Sequence, residues 1–82
     1  MAFDKQSTFD KVIQVVSDKL NKDKDSIMAA HSFEELGADS LDMVEIVLTL
    51  EEQFNIEIND EDAEKLTSIQ QVVDYIHNLR SE

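Results

Sequence analysis

Asp39-Ser40-Leu41-Asp42-Met43-Val44-Glu45-Ile46-Val47-Leu48-Thr49-Leu50-Glu51-Glu52-Gln53-Phe54 is the stretch that decides the fold. Met43, Ile46, Val47, Leu50 and Phe54 recur three or four residues apart, the period of one face of a helix and not of a strand. Asp39 stands where an N-cap belongs, with Asp42 three residues on as a weak capping-box partner. A helix is therefore expected from Asp39 or Ser40 to about Phe54. Steps of about 100° per residue place those five apolar residues on one arc wide enough to fill a core. Leu41, Val44 and Leu48 continue past that arc and run into Asp42, Glu45 and Glu52. Two readings stay open: a neighbouring helix covers the three apolar residues, or they form a partner groove whose acids set orientation and association rate.

Working outward, Ser7-Thr8-Phe9-Asp10 resembles a cap with a first-turn acid, and Phe9, Val12, Ile13, Val16 and Leu20 follow at helical spacing. This predicts a first helix from about Thr8 to Leu20. The stretch from Asn21 to Asp39 is longer than loops usually are, yet carries Ile27, Met28, Phe33 and Leu36, so it is expected to pack. One helical turn is expected at Ser32–Leu36, capped by Ser32 and Glu35 and ended by Gly37. Phe54, Ile56 and Ile58 alternate, but no second alternating run exists to pair with them, which makes this an extended connector. Asn59 can cap a short helix from Asp60 to Leu66. Ser68 and Gln71 can form a capping box for a last helix, with Ile69, Val72, Val73, Ile76 and Leu79 as its buried stripe. The sum is an all-α four-helix bundle of three longer helices and a short third one, with a long loop between the first and second.

Composition agrees. Eighty-two residues allow one domain over 1–82; aromatics are 6% with no Trp, and one Gly with no Pro supplies too few turns for an all-β chain. The absence of Cys excludes disulfides and thiolate sites, so any thiol chemistry must come from an attached group. No apolar run is long enough to span a bilayer and no signal-peptide core is present, which leads us to expect a cytoplasmic protein that is not a membrane protein. The net charge of −12 disfavours nucleic acid. Thirteen of the nineteen acids lie between Asp25 and Glu64, where there is no Lys or Arg. Such a run is a solvated surface or a field that steers basic partners.

Little in the chain suggests catalysis. His31 and His77 fall in a loop and near a helix end, and no nucleophile elbow surrounds Ser40, so the chain is not expected to be an enzyme. Asn21, Asp23 and Asp25 mimic the start of a calcium loop, but Ser26 and Ser32 occupy its diagnostic Gly and Glu positions, and no metal site is expected. Ser40 reads as part of a helix cap on physics alone. It nevertheless lies on a loop-to-helix corner that another protein can reach, between Asp39 and Asp42, which would repel a free phosphate. A phosphate there would be attached covalently.

Gly37-Ala38-Asp39-Ser40-Leu41-Asp42 resembles the phosphopantetheine attachment motif of acyl carrier proteins. Phe33-Glu34-Glu35-Leu36, Val44-Glu45, Leu50 to Phe54, Glu57 to Glu61 and Asp74-Tyr75-Ile76 extend the likeness over nearly the whole chain, toward the free-standing bacterial fatty-acid type. The resemblance implies that a phosphopantetheinyl transferase joins Ser40, flanked by Asp39 and Leu41, to the 4'-phosphopantetheine of coenzyme A. The thiol of that arm would carry growing acyl chains as thioesters. It further implies that Asp42, Val44, Glu45, Leu48, Glu51, Glu52, Asp60 and Glu64, with Asp39 and Leu41, meet basic docking patches on fatty-acid synthesis enzymes. Phe33, Leu36, Ile46, Leu50, Ile58, Ala63, Leu66 and Tyr75 would shelter the acyl chain. The first loop departs from the family form in Asn21 to Ala30, with Lys22, Lys24 and His31. Carriers of aminoacyl, peptidyl or polyketide loads share the Asp-Ser-Leu core, and a small acidic adaptor would keep only the interface. Nothing in the sequence requires an oligomer, and a monomer is expected.

Overall fold

A computed structural model describes residues 5–80, which form five α-helices and one 3-10 turn, with no strand among them. In order these are α1 (Lys5–Leu20), α2 (Lys24–Ala29), the 3-10 turn Glu34–Leu36, α3 (Ser40–Phe54), α4 (Asp60–Lys65) and α5 (Ile69–Arg80). The expected bundle of three longer helices and a short one is present. The first loop, however, holds the additional short helix α2. Its six residues bury only Ile27, too little to leave an apolar period in the sequence.

Local chemistry accounts for most boundaries. Asp39 and Asp42 form the capping box that starts α3: the Asp42 amide donates to Asp39 Oδ1 at 2.9 Å, and the Asp39 amide to Asp42 Oδ2 at 3.2 Å. Ser68 and Gln71 do the same for α5, at 3.3 and 3.2 Å. The Glu35 amide donates to Ser32 Oγ at 3.4 Å, the Ser32 amide returns a bond to Glu35 Oε2 at 3.1 Å, and Gly37 closes the turn at φ +78°. With its single glycine committed there, the chain ends two long helices on asparagine. Asn21 and Asn55 take φ of 55° and 54°, and Lys22 and Ile56 donate back to Ser17 and Glu51 carbonyls, the six-to-one bond of a Schellman end.

Two expected caps differ. Thr8 lies inside α1 and is fully buried, where its hydroxyl accepts from Arg80 Nη1 at 2.8 Å and lies 3.5 Å from His77 Nδ1. Asn59 occupies the N-cap position of α4 without a side-chain bond to the helix.

The core is aliphatic. Val12 and Val16 from α1, Ile46 and Leu50 from α3, and Val72, Val73 and Ile76 from α5 meet at its centre, closed by Ile27, Phe33, Leu36, Ile58 and Leu66 from the intervening segments. Leu79, expected in the stripe of α5, is only half-buried. Phe54 stands at the edge with the Arg80 guanidinium 4.8 Å and the Lys11 ammonium 5.9 Å from its ring centre, which ties the ends of α3 and α5 to α1. By contrast α4 buries none of its own residues. It is held from its flanks by Ile58 and Leu66, and by the Tyr75 hydroxyl donating to Asp62 Oδ2 at 2.8 Å.

Candidate functional site

Ser40 is the first residue of α3 and is exposed. Both capping bonds run between Asp39 and Asp42, so neither uses the Ser40 hydroxyl. The sequence left open whether this serine was part of the cap; its neighbours perform that task. The same bonds commit one oxygen of each carboxylate to a backbone amide and leave the other oxygen of each unengaged by the cap.

From Ser40 a groove of about 580 Å³ runs between α3 and α4. Ser40, Met43, Val44, Val47, Leu48 and Glu51 line it from α3, and Ile58, Asp60, Ala63 and Glu64 from the other wall. The α3 residues follow the spacing of one helix face, so the sequence places them together. Met43 and Val47 stand on the border between the core arc and the outer stripe; that border position was the signal that they could serve the groove.

The residues named for a docking surface separate into groups. Leu41, Val44 and Leu48 are 66%, 54% and 53% exposed, large apolar side chains on the outer edge of α3. No neighbouring helix covers them among the described residues. Glu45 and Glu52 are exposed beside them, Asp42 is half-buried in the cap, and Asp60 and Glu64 form the rim on α4. Glu51 differs from the rest, being half-buried with Oε2 accepting from the Ile58 amide at 2.8 Å. That bond spans seven residues and follows no local capping rule, so no local pattern in the sequence announces it.

Of the eight residues named as a shelter for an acyl chain, Ile58 and Ala63 line this groove. Phe33, Leu36, Ile46, Leu50 and Leu66 are buried in the closed core behind it. Tyr75 is half-buried, its hydroxyl held above the usual tyrosine range first by burial, then by the Asp62 carboxylate it bonds, with the Glu51 charge adding to the effect. Asp23, one of the calcium-loop mimics, caps α2 by accepting from the Ser26 amide at 3.0 Å; its carboxyl is held below the ordinary range first by the Ser26 side chain and then by that amide. Among the described residues no group of three His, Asp or Glu is placed to hold a metal ion, and no helix is long and apolar enough to cross a membrane.

The chemistry of this arrangement suits a covalent arm. An exposed hydroxyl at a helix start has the free amide ends of α3 beside it, which favour a phosphate, while an apolar trough leads away from it. Comparison with known proteins gives the same direction. A family model described as a phosphopantetheine attachment site matches residues 10–76. A protein of Campylobacter jejuni subsp. doylei named acyl carrier protein is 52% identical over 75 residues, covering 90% of this chain and 97% of its own. Another of that name, from Campylobacter lari, is 53% identical over 73 residues, covering 88% and 95%. Among solved structures, the acyl carrier protein from Enterococcus faecalis superposes with a TM-score of 0.76 at 34% identity, covering 93% of this chain and 98% of that one.

Proposed function

The chain belongs to the acyl carrier protein family, and from that premise we propose that Ser40 is the residue to which its 4'-phosphopantetheine is joined. The protein carries acyl chains in fatty-acid synthesis on that group. The observation that supports Ser40 is its exposed hydroxyl, left out of the Asp39–Asp42 capping box and opening on the groove. In the transfer, Ser40 Oγ forms an ester bond to the pantetheine-side phosphorus as the pyrophosphate link of coenzyme A breaks, and adenosine 3',5'-bisphosphate leaves. The proton of the hydroxyl passes to a base of the phosphopantetheinyl transferase. When bound, the arm supplies the thiol that this Cys-free chain lacks.

The same proposal assigns the docking surface. Burying the exposed parts of Leu41, Val44 and Leu48 under a partner contributes on the order of 3 kcal/mol in all, at about 1 kcal/mol for each half-exposed side chain. An exposed charge pair adds less than about 1 kcal/mol, so Asp39, Asp42, Glu45, Glu52, Asp60 and Glu64 act mainly on approach rate and orientation toward basic patches. The acyl chain lies in the groove against Ile58 and Ala63, while Phe33, Leu36, Ile46, Leu50, Leu66 and Tyr75 form the interior it would have to part to go deeper. With these goes a single acyl-carrier domain over residues 1–82 that acts as a cytoplasmic monomer, binds no nucleic acid and catalyses nothing itself.

The test is intact mass before and after incubation with coenzyme A and a broad-specificity phosphopantetheinyl transferase. We expect a gain of one phosphopantetheine in the wild type and none in Ser40→Ala, with unchanged melting. Modification that persists in Ser40→Ala removes Ser40 from the reading.

A further inference from the structure

We propose that Glu51 ends the acyl groove and thereby limits the length of chain it holds, an inference that rests on the carrier reading above. On α3 the groove begins at Ser40 and closes at Glu51, eleven residues on, which at a rise of 1.5 Å per residue is about 16 Å. Between these ends Met43, Val44, Val47 and Leu48 line one wall and Ile58 and Ala63 the other, with the acids Asp60 and Glu64 beside them. The far end is a half-buried carboxylate bonded at 2.8 Å to the amide of Ile58, a buried residue that itself lines the groove. The bond joins α3 to the connector before α4 at the end of the α3 lining farthest from Ser40.

The balance of effects makes this bond a stop. Each CH₂ group buried in the groove favours the sheltered chain about fourfold. A chain that passes the bond must separate Glu51 from the Ile58 amide, leaving a part-buried donor and a part-buried carboxylate both unpaired, which disfavours that state by on the order of a hundredfold or more. One further carbon does not offset it, so the chain end turns outward to water. Glu51 is thus a positioning residue for the load, distinct from its exposed neighbour Glu52, which faces solvent.

The experiment loads Ser40 with acyl groups from hexanoyl to tetradecanoyl, using acyl-coenzyme A and a broad-specificity transferase, and confirms each load by mass. Hydroxylamine cleavage of the thioester then reports shelter. In the wild type, cleavage slows with chain length and levels off. In Glu51→Leu we expect levelling at a longer chain, with cleavage about fourfold slower for each carbon beyond the wild-type limit; Glu52→Leu keeps the wild-type limit. A second readout needs no variant: the Ile58 amide of the loaded wild type stays protected from hydrogen exchange at the limit and just past it, because the chain end turns outward and leaves the bond to Glu51 intact. An unchanged limit in folded Glu51→Leu overturns the proposal, as does an Ile58 amide that loses protection as soon as the chain reaches the limit. Cleavage rates that ignore chain length overturn it as well, whereas failure to gain mass at Ser40 overturns the carrier reading beneath it.

Discussion

The two sides of α3 are built on opposite principles. Toward α1 and α5, side chains are pinned: Thr8 is buried beneath Arg80, Arg80 and Lys11 flank Phe54, and Lys5 Nζ lies 2.6 Å from Asp74 Oδ1. Toward α4, the surface is an open apolar trough edged with acids, in the middle of a forty-residue span from Asp25 to Glu64 that contains no Lys or Arg. Lys5, Lys11 and Arg80 are instead engaged on the far side. A small carrier can keep one face exposed, charged and apolar because its cohesion is supplied by the other.

This contrast can be broken on the pinned side. Phe54→Ala removes the ring held by two cations; since Phe54 is half-buried, we expect a loss of about 2–3 kcal/mol, below the range for a fully buried phenylalanine. In a domain of this size that lowers Tm by roughly 10–20 °C in a calorimetric scan. A loss under 1 kcal/mol would mean that the stack contributes little cohesion.

Smaller changes sharpen it. Tyr75→Phe deletes the bond to Asp62 that ties α5 to α4, and chemical denaturation is expected to show a loss of about 1 kcal/mol at neutral pH. Because the folded pKa of Tyr75 is raised, its contribution is complete below the unfolded value near 10 and is lost as pH rises through the folded value. The variant's stability should therefore fall less steeply on the alkaline side. Asp74 has the opposite sign. Its carboxyl is lowered chiefly by the bond to Lys5, against some desolvation and with help from Gln70, so its contribution is present above the unfolded value and lost as pH falls through the folded one. Both partners are about half exposed, and Asp74→Asn is expected to cost less than about 0.5 kcal/mol near neutrality while flattening the acid limb of the stability curve.

The smallest effect on stability belongs to the open side. Leu48→Ala, at a position 53% exposed, should change stability by no more than about 0.5 kcal/mol yet weaken association with a fatty-acid synthesis enzyme. Glu45→Lys should leave the melt alone and slow association, with a shallower salt dependence in stopped-flow measurements. A large loss of stability in either variant would erase the distinction between the two sides.

The elements written in the sequence were those set by neighbours within four residues. The capping pairs Asp39–Asp42, Ser32–Glu35 and Ser68–Gln71 were legible for that reason, as was the whole of α3. Ser40 was legible as a site through its motif and its corner position. The asparagines at 21 and 55 were a readable helix-end signal that went unused. What stayed hidden depends on distance along the chain. Thr8 looked like a cap because its partner, Arg80, is 72 residues away. Glu51 looked like one more docking acid because its bond reaches around the connector to Ile58. The closed positions of Phe33, Leu36, Ile46, Leu50 and Leu66 depend on how five segments pack at once, which no local pattern records.

That α4 buries no residue of its own also bears on kinetics of local unfolding. A six-residue helix held by its flanks and one phenol-carboxylate bond can detach while α1, α3 and α5 remain packed, so its amides exchange with solvent through a partial opening far below the global unfolding free energy. An acyl chain that needs this wall displaced is then taxed only by the small free energy of that opening, and it is released with equal ease when a partner enzyme stabilises the detached state.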